Sequence, residues 1–190
     1  MKKCPYCFEK IQNEAIKCRY CLELFIPVEE NECVEYWPNG KKRFEGIFKD
    51  GEKDGLWTKW HDNGQKEVEG TYKDGKGYGK WTGWYSNGQK REEGTFKDGK
   101  RDGLWTTWDT NGQKWTEETY KNGKRDGLWT WWYGNGQKSH EITYKVGKKD
   151  GLNTGWYKSG ENSYEITYKD GEVITMKEWD EDGNLTDSYP

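Results

Sequence analysis

Apolar and polar positions recur along most of this chain with a fixed period of 24 residues. Within each period, segments that alternate between apolar and polar residues are separated by Asn-Gly or Asp-Gly pairs. Alternation with a period of two predicts strands that have one covered face and one polar face. Asn-Gly and Asp-Gly between such strands predict tight hairpin turns. The pattern therefore predicts about two antiparallel strands in each period, joined into a meander.

Three kinds of position define the period. Asn-Gly pairs begin at 39, 63, 87, 111 and 135, with Ser159-Gly160 in the next place. A second glycine recurs at Gly55, Gly79, Gly103, Gly127 and Gly151. An aromatic residue recurs at Phe48, Tyr72, Phe96, Tyr120, Tyr144 and Tyr168. Periods of 20–50 residues are typical of arrays in which each unit buries its apolar face against its neighbours. We therefore predict a mainly β fold, an elongated ribbon of antiparallel hairpins over residues 33–190.

The residues on the first face of the ribbon can be assigned if the Asn-Gly and Asp-Gly pairs both form two-residue turns. Across Asn63-Gly64, Trp57 would then lie opposite Gly70, and its ring would cover the glycine. The same column contains Trp81, Trp105 and Trp129, and these rings are expected to be buried. Cys33 falls in this column as well, which predicts a small buried hydrophobic residue.

The second face combines charged columns with a second tryptophan column. On the same assumption, Trp60 would lie opposite Glu67 on this face. Its aromatic column is Trp60, Trp84, Trp108, Trp132 and Trp156. An acidic column runs beside it at Glu45, Glu69, Glu93, Glu117, Glu141 and Glu165. A bulge could rotate these rings into the core, or the protein could display them as a partner-binding surface. The alternation leaves both possibilities open.

The repeated motif resembles a known family. The segment GTFKDGKRDGLWTTWDTNGQK, from Gly94 to Lys114, is similar to the bacterial variant of the MORN repeat, and the array looks like the YwqK-type antitoxin family. The resemblance covers about residues 33–185. It implies a β-hairpin ribbon, a protein-binding role that includes neutralising a toxin, and no catalytic residues. Asn153 departs from the motif where Trp is expected, and Trp179 and Asp182-Gly183 each come one place early, which we interpret as C-terminal capping.

Four cysteines near the start of the chain have the spacing of a zinc site. Cys4, Cys7, Cys18 and Cys21 form two Cys-x2-Cys pairs separated by ten residues, which can close a tetrahedron around Zn²⁺. The segment also resembles a short bacterial zinc ribbon, although Leu22 replaces the usual glycine after the last cysteine. We predict one structural zinc ion in residues 1–26, followed by a linker at 27–32. Two alternatives are less favoured. Disulfides would need an oxidising compartment, for which we find no export signal, and a redox Cys-x2-Cys motif would need a βαβ pattern, which the sequence lacks.

Charge and residue types narrow the function. The chain carries 31 Lys and Arg against 34 Asp and Glu, so it lacks the basic excess that attracts phosphates. Its two histidines, His61 and His140, lie in different columns, and no catalytic motif accompanies them. We therefore expect a non-catalytic protein. Cys4-Pro5 interrupts the place where a signal peptide would become apolar, and no apolar run approaches ~20 residues, so we expect it in the cytoplasm.

Together these features predict a protein-interaction module that binds a protein partner, such as a toxin, through the repeat ribbon. An alternative is a nucleic-acid-associated adaptor that uses the zinc ribbon, although five basic residues in residues 1–30 are matched by five acidic ones. A membrane-associated scaffold is a third, weaker hypothesis.

Overall fold

The computed structural model describes residues 32–189, together with the backbone of two short strands near the start of the chain. These are Lys2–Lys3 (β1) and Lys10–Ile11 (β2), which pair antiparallel. The predicted zinc ligands Cys4, Cys7, Cys18 and Cys21 lie outside the described residues. The zinc ribbon therefore stays a prediction.

Residues 32–189 form one antiparallel sheet of 15 strands and contain no helix. Strands pair in chain order from β3 at one edge to β17 at the other, and the short β9 pairs only with β8. The strands are Glu32–Tyr36 (β3), Lys42–Lys49 (β4), Glu52–Trp60 (β5), Lys66–Lys73 (β6), Lys76–Trp84 (β7), Lys90–Lys97 (β8), Lys100–Arg101 (β9), Gly103–Trp108 (β10), Lys114–Lys121 (β11), Lys124–Trp132 (β12), Lys138–Lys145 (β13), Lys148–Trp156 (β14), Asn162–Lys169 (β15), Glu172–Trp179 (β16) and Leu185–Tyr189 (β17). This confirms the predicted hairpin meander.

The Asp-Gly turns have the predicted two-residue form. In the turn between β4 and β5, Asp50 and Gly51 have φ angles of 53° and 83°, and Lys49 pairs directly with Glu52. Two successive residues with positive φ define a type I′ turn, whose twist matches that of the flanking strands. The first residue of the equivalent turns is Asp74, Asp98, Asn122, Val146 and Asp170.

The Asn-Gly turns do not have the predicted two-residue form. The strands stop at Trp60 and resume at Lys66, and Gly64 has positive φ whereas Asn63 does not. The Gly64 N–H donates to the His61 carbonyl at 2.9 Å, and the Asn63 side chain accepts from the Gln65 N–H at 2.9 Å. This is a type I turn followed by a left-handed glycine, which places a bulge beside the turn. Because of that bulge Trp60 pairs with Lys66, and the pairing predicted with Glu67 is wrong.

Each period contains a second bulge at the recurring glycine. Between β4 and β5, Ile47 pairs with Asp54 and Glu45 pairs with Thr58, so three residues of β5 oppose Gly46 alone. Gly55 has a φ of 74°, a conformation that favours glycine. Because the bulge adds an even number of residues, side chains on either side of it stay on the same faces of the sheet. The Trp57 and Trp60 columns therefore lie on opposite faces, as predicted.

The Trp57 column lies in the core of its face, but the rings cover different glycines from those predicted. Trp57 pairs with Gly70 in the register, yet its ring lies over Gly46 on the preceding strand. A Cβ on Gly46 would be 2.2 Å from the Trp57 ring, and the indole N–H donates to the Ile47 carbonyl at 3.0 Å. The exposed fractions are 7% for Trp57, 2% for Trp105 and 3% for Trp129, while Trp81 is half-buried. Cys33 is buried in the same column, as predicted.

The aromatic packing on this face changes where the glycine is missing. Ring planes in the first repeats meet nearly edge to face, at 85° for Phe48 and Trp57 and 80° for Phe96 and Trp105. Glu118 takes the place of Gly94 in the next repeat, and the angle between Tyr120 and Trp129 falls to 58°. Glu118 carries a side chain where Gly94 has none, which leaves less room for an indole against the strand.

The pairing of β15 with β16 accounts for the early position of Trp179. Tyr168 pairs with Val173 and Thr167 pairs with Thr175, so the bulge there contains one extra residue instead of two. The following tryptophan therefore comes one position earlier in the chain. Strand β17 is exposed along its whole length.

Candidate interaction surface

The second tryptophan column lies on the charged side of the sheet. We call this side the Trp60 face; it contains Trp60, Trp84, Trp108, Trp132, Trp156, the Glu45 column and the threonines that begin at Thr58. We call the opposite side, which contains the Trp57 column, the Trp57 face. All five rings of the Trp60 column are half-buried. The column is therefore neither fully displayed nor part of a closed core.

A lysine from the preceding hairpin covers each ring. The ammonium of Lys66 lies 5.7 Å from the centre of the Trp84 ring, and that of Lys90 lies 5.5 Å from the Trp108 ring. Lys42, Lys114 and Lys138 make the same contact with the next rings. These cation–π contacts leave the ring edges open while they hold the positive charge in place.

The lysines are held in turn by the acidic column. Lys90 pairs with Glu93 at 2.9 Å, and the Thr82 hydroxyl lies 3.4 Å from the same carboxylate. The hydrogen bond from Lys90, aided by Lys80 at 3.1 Å, holds the pKa of the Glu93 carboxyl below its usual range. Lys66, Lys90 and Lys138 thus each belong to a Trp–Lys–Glu–Thr network, in which the glutamate also accepts from a threonine. A partner would meet rings whose charged neighbours are already ordered.

Side chains at the Asn-Gly turns connect each hairpin to the next. The Tyr85 hydroxyl donates to the Trp108 carbonyl at 2.9 Å, and Asn87 donates to the Thr110 carbonyl at 2.9 Å. His61 makes the equivalent contact with the Trp84 carbonyl at 3.1 Å. These bonds position the backbone that carries the Trp60 column. Asp109 replaces the tyrosine in one hairpin, and its carboxylate accepts from the N–H groups of its own turn instead.

The structure also places together a basic surface, in which two columns of lysines pair with each other across the turns. Four of the six type I′ turns bring two lysines into direct cross-strand pairing, as in Lys97 with Lys100 and Lys121 with Lys124. In the other two turns a lysine pairs with a glutamate. We call the eight lysines of the four Lys–Lys pairs the lysine edge: Lys73, Lys76, Lys97, Lys100, Lys121, Lys124, Lys145 and Lys148. All eight are exposed, and none forms an ion pair with a residue of the 32–189 range.

The two histidines have structural contacts. His61 reaches a backbone carbonyl, and the His140 ring stacks on Trp131 with centres 4.2 Å apart. Burial lowers the pKa of His140. Among residues 32–189, no group of three or more His, Cys, Asp or Glu side chains converges as a metal site.

A single-layered array of β-hairpins with a fixed 24-residue period defines the chain as an all-β repeat protein. The chain belongs to the MORN repeat variant family, whose pattern matches residues 29–50, 53–74, 78–98, 101–122 and 125–145. The resemblance to MORN repeats is thereby confirmed, and such repeats are commonly protein- or membrane-interaction modules.

No curated protein is significantly similar to the chain. The part of the chain that the structure describes contains no helix that is long and apolar enough to cross a membrane.

Proposed function

We propose that this chain is a non-catalytic, cytoplasmic binding protein that docks a protein partner on the Trp60 face and acts as an antitoxin-type inhibitor of that partner. The observation that carries the proposal is the regular column of half-buried tryptophans beside an acidic column and its paired lysines. Interfaces gain most of their affinity from a few aromatic and arginine residues, each contributing about 2 kcal/mol or more when covered.

The lysine edge indicates the charge of the partner. Lysines paired directly across a strand repel one another, and an acidic surface on a partner would relieve that repulsion. Complementary charge raises the association rate and selects partners more than it raises affinity. We therefore propose an acidic protein partner, whose association slows as salt concentration increases.

The test uses Trp84→Ala and Trp108→Ala. The partner is first recovered from cells with the tagged wild-type chain, and its dissociation constant is then measured against each variant. We expect at least tenfold weaker binding for each variant, because a covered hot-spot ring is lost. The antitoxin role is tested separately, by asking whether co-expression of the chain relieves growth arrest caused by the recovered partner.

Trp105→Ala is the matched control, since its ring is buried on the opposite face. Its loss should lower the free energy of unfolding by about 3–5 kcal/mol. Trp84→Ala and Trp108→Ala should lose less stability, because these rings are only half-buried in the folded protein. Variants of Trp84 and Trp108 that unfold as easily as the control, yet bind the partner as the wild type does, would refute the surface.

We further propose that Cys4, Cys7, Cys18 and Cys21 hold one structural Zn²⁺. The support is their double Cys-x2-Cys spacing, which supplies four thiolates and leaves no open coordination position for chemistry. The zinc ribbon would then add a second module to the chain.

A further inference from the structure

Trp115 departs from the repeat in a way that burial does not explain. It sits at the bulge beside an Asn-Gly turn, where the other repeats have Arg43, Glu67, Arg91, Ser139 and Ser163. Its exposed fraction is 53%, and it is the one exposed residue among the 13 tryptophans, all of which lie within residues 32–189. It makes no ring or cation–π contact with these residues. Tryptophan is enriched in protein–protein interfaces, so an exposed tryptophan in place of a charged or small residue is a candidate for contact with another molecule.

The neighbouring repeat contains a recess on the Trp57 face. Gly83 occupies a position of the repeat that is filled by Lys59, Thr107 and Trp131 in other repeats. We call these equivalent positions the Gly83 row. The space above the other glycine of this row, Gly155, is filled by the Tyr164 ring, which comes within 2.1 Å of the position of a Cβ. Gly83 itself is buried, with the Arg91 and Glu92 side chains 3.1 Å from the position of a Cβ, and a recess of about 230 Å³ that it helps to line remains open.

The lining of the recess suits an apolar side chain. Its lining includes the apolar and aromatic residues Val68, Trp81, Phe96 and Trp105, together with the charged residues Glu92 and Arg101. Glu92 is already paired with Arg91 at 2.8 Å and with Arg101 at 3.4 Å, so its charge is satisfied. Small-molecule pockets usually occupy about 300–1,000 Å³, and this smaller recess is of a size for one large side chain.

The tryptophan and the recess lie on the same face, one repeat apart. Gly83 pairs with Glu92, Glu92 with Thr107, and Thr107 with Thr116, the residue next to Trp115. At the bulge position of Trp115, Glu67 and Arg91 of other repeats contact residues of the Trp57 face, Lys59 and Glu92. The two features are therefore three strand spacings apart, about 14 Å along the sheet.

We propose that the Trp57 face is a homodimer interface, in which Trp115 of each copy inserts into the Gly83 recess of the other. A two-fold axis brings the same patch of both copies together, so a self-complementary interface needs a projection and a recess on one face of one chain. This chain has both, and the recess is of a size for one large side chain. The interface is independent of the proposed partner surface, which lies on the opposite face.

The test is sedimentation equilibrium of the full chain over about a hundredfold range of concentration, because self-association responds to mass action. The wild type is expected to show a reversible monomer–dimer equilibrium. Trp115→Ser, which introduces the residue of two later repeats, should weaken dimerisation at least tenfold. Gly83→Thr should do the same by changing the lining of the recess, since a Cβ there meets the Arg91 and Glu92 side chains at 3.1 Å and has to displace them. The double variant should be no weaker than the single ones, because both changes remove one contact.

Leu104→Ser is the matched control, because Leu104 is also 53% exposed but lies on the Trp60 face. It should leave the dimerisation constant unchanged. Thermal unfolding of each variant below the dimerisation range separates loss of folding from loss of the interface. A wild type that is monomeric at every concentration would overturn the proposal. The recess would then bind residues 1–31 of the same chain or a different protein. A dimer that Trp115→Ser does not weaken would overturn it as well.

Discussion

Single positions in this array are determined by backbone geometry as much as by burial. Gly46, Gly70 and Gly94 lie directly under indole rings, and any side chain there would come within 2.2 Å of a ring atom. Positive φ is required at both residues of each type I′ turn, and Asp or Asn fills the first place in five of the six turns. Val146 fills it in the remaining turn with a φ of 50°. A β-branched residue is strained in that conformation.

Replacing this valine should stabilise the protein. Val146→Asn is expected to raise the free energy of unfolding by about 1 kcal/mol, because the left-handed strain is relieved while an exposed side chain is lost. For a chain of this size the melting temperature should increase by about 2–4 °C. Thermal unfolding followed by circular dichroism measures the change.

The reverse substitution in the preceding turn is the control for Val146→Asn. Asn122 has a φ of 51° in the equivalent position, so Asn122→Val should lower the melting temperature by a similar amount. Equal stability of the wild type and both variants would show that the turn conformation carries no strain.

At the scale of the hairpin, contacts between neighbouring turns connect the array, and one junction lacks them. Tyr85, Tyr133 and Tyr157 each donate from the ring hydroxyl to a carbonyl of the next hairpin. Asp109 makes no such bond within the described range. The ring contact between this hairpin and the next is kept, with the Tyr120 and Trp129 centres 5.1 Å apart. The junction therefore lacks one inter-turn hydrogen bond that its neighbours have.

Restoring the tyrosine should strengthen this junction. Asp109→Tyr allows the hydroxyl to reach the Trp132 carbonyl, and Asn111 can then cap its own turn as Asn87 does. We expect a gain of about 1 kcal/mol, the net contribution of one hydrogen bond. Hydrogen exchange of β11 and β12 measures it locally, since repeat arrays need not unfold in one step.

Tyr85→Phe tests the same contact from the opposite direction. It keeps the ring and removes the hydroxyl that donates to Trp108, and it should cost about 1 kcal/mol at that junction. If exchange at both junctions stays at the wild-type rate in these variants, the inter-turn bonds do not control the coupling between hairpins.

At the scale of the whole molecule, the array depends on its own packing. In the sheet of residues 32–189 every strand except the short β9 pairs in chain order, and the aromatic rings of the Trp57 face contact one another across the first repeats. The proposed zinc ribbon would depend on its metal instead, because a short segment with few apolar residues needs metal to fold.

Removing the metal should therefore affect one part of the chain. Metal analysis of protein purified without chelator is expected to give one zinc per chain. Chelation should make residues 1–26 sensitive to protease while the β-sheet circular dichroism of the array persists. Protein that contains no zinc and has four reactive thiols in this segment would contradict the zinc proposal.

The sequence by itself determined the period, the strands and the existence of two tryptophan columns on opposite faces. These features depend on local rules, namely alternation along a strand and the demand of Asp-Gly for positive φ, and each was visible in the 24-residue repeat. The burial of Trp57 and Cys33 followed from the same alternation.

Only the tertiary structure decided how neighbouring repeats meet. It showed that the Trp57 ring covers Gly46 instead of Gly70, and that a five-residue connection pairs Trp60 with Lys66. It also brought the lysine edge together and left a recess that Gly83 helps to line. These features depend on bulges, and a bulge is a compromise between two strands and the twist of the whole sheet. Periodicity within a single strand does not contain that information.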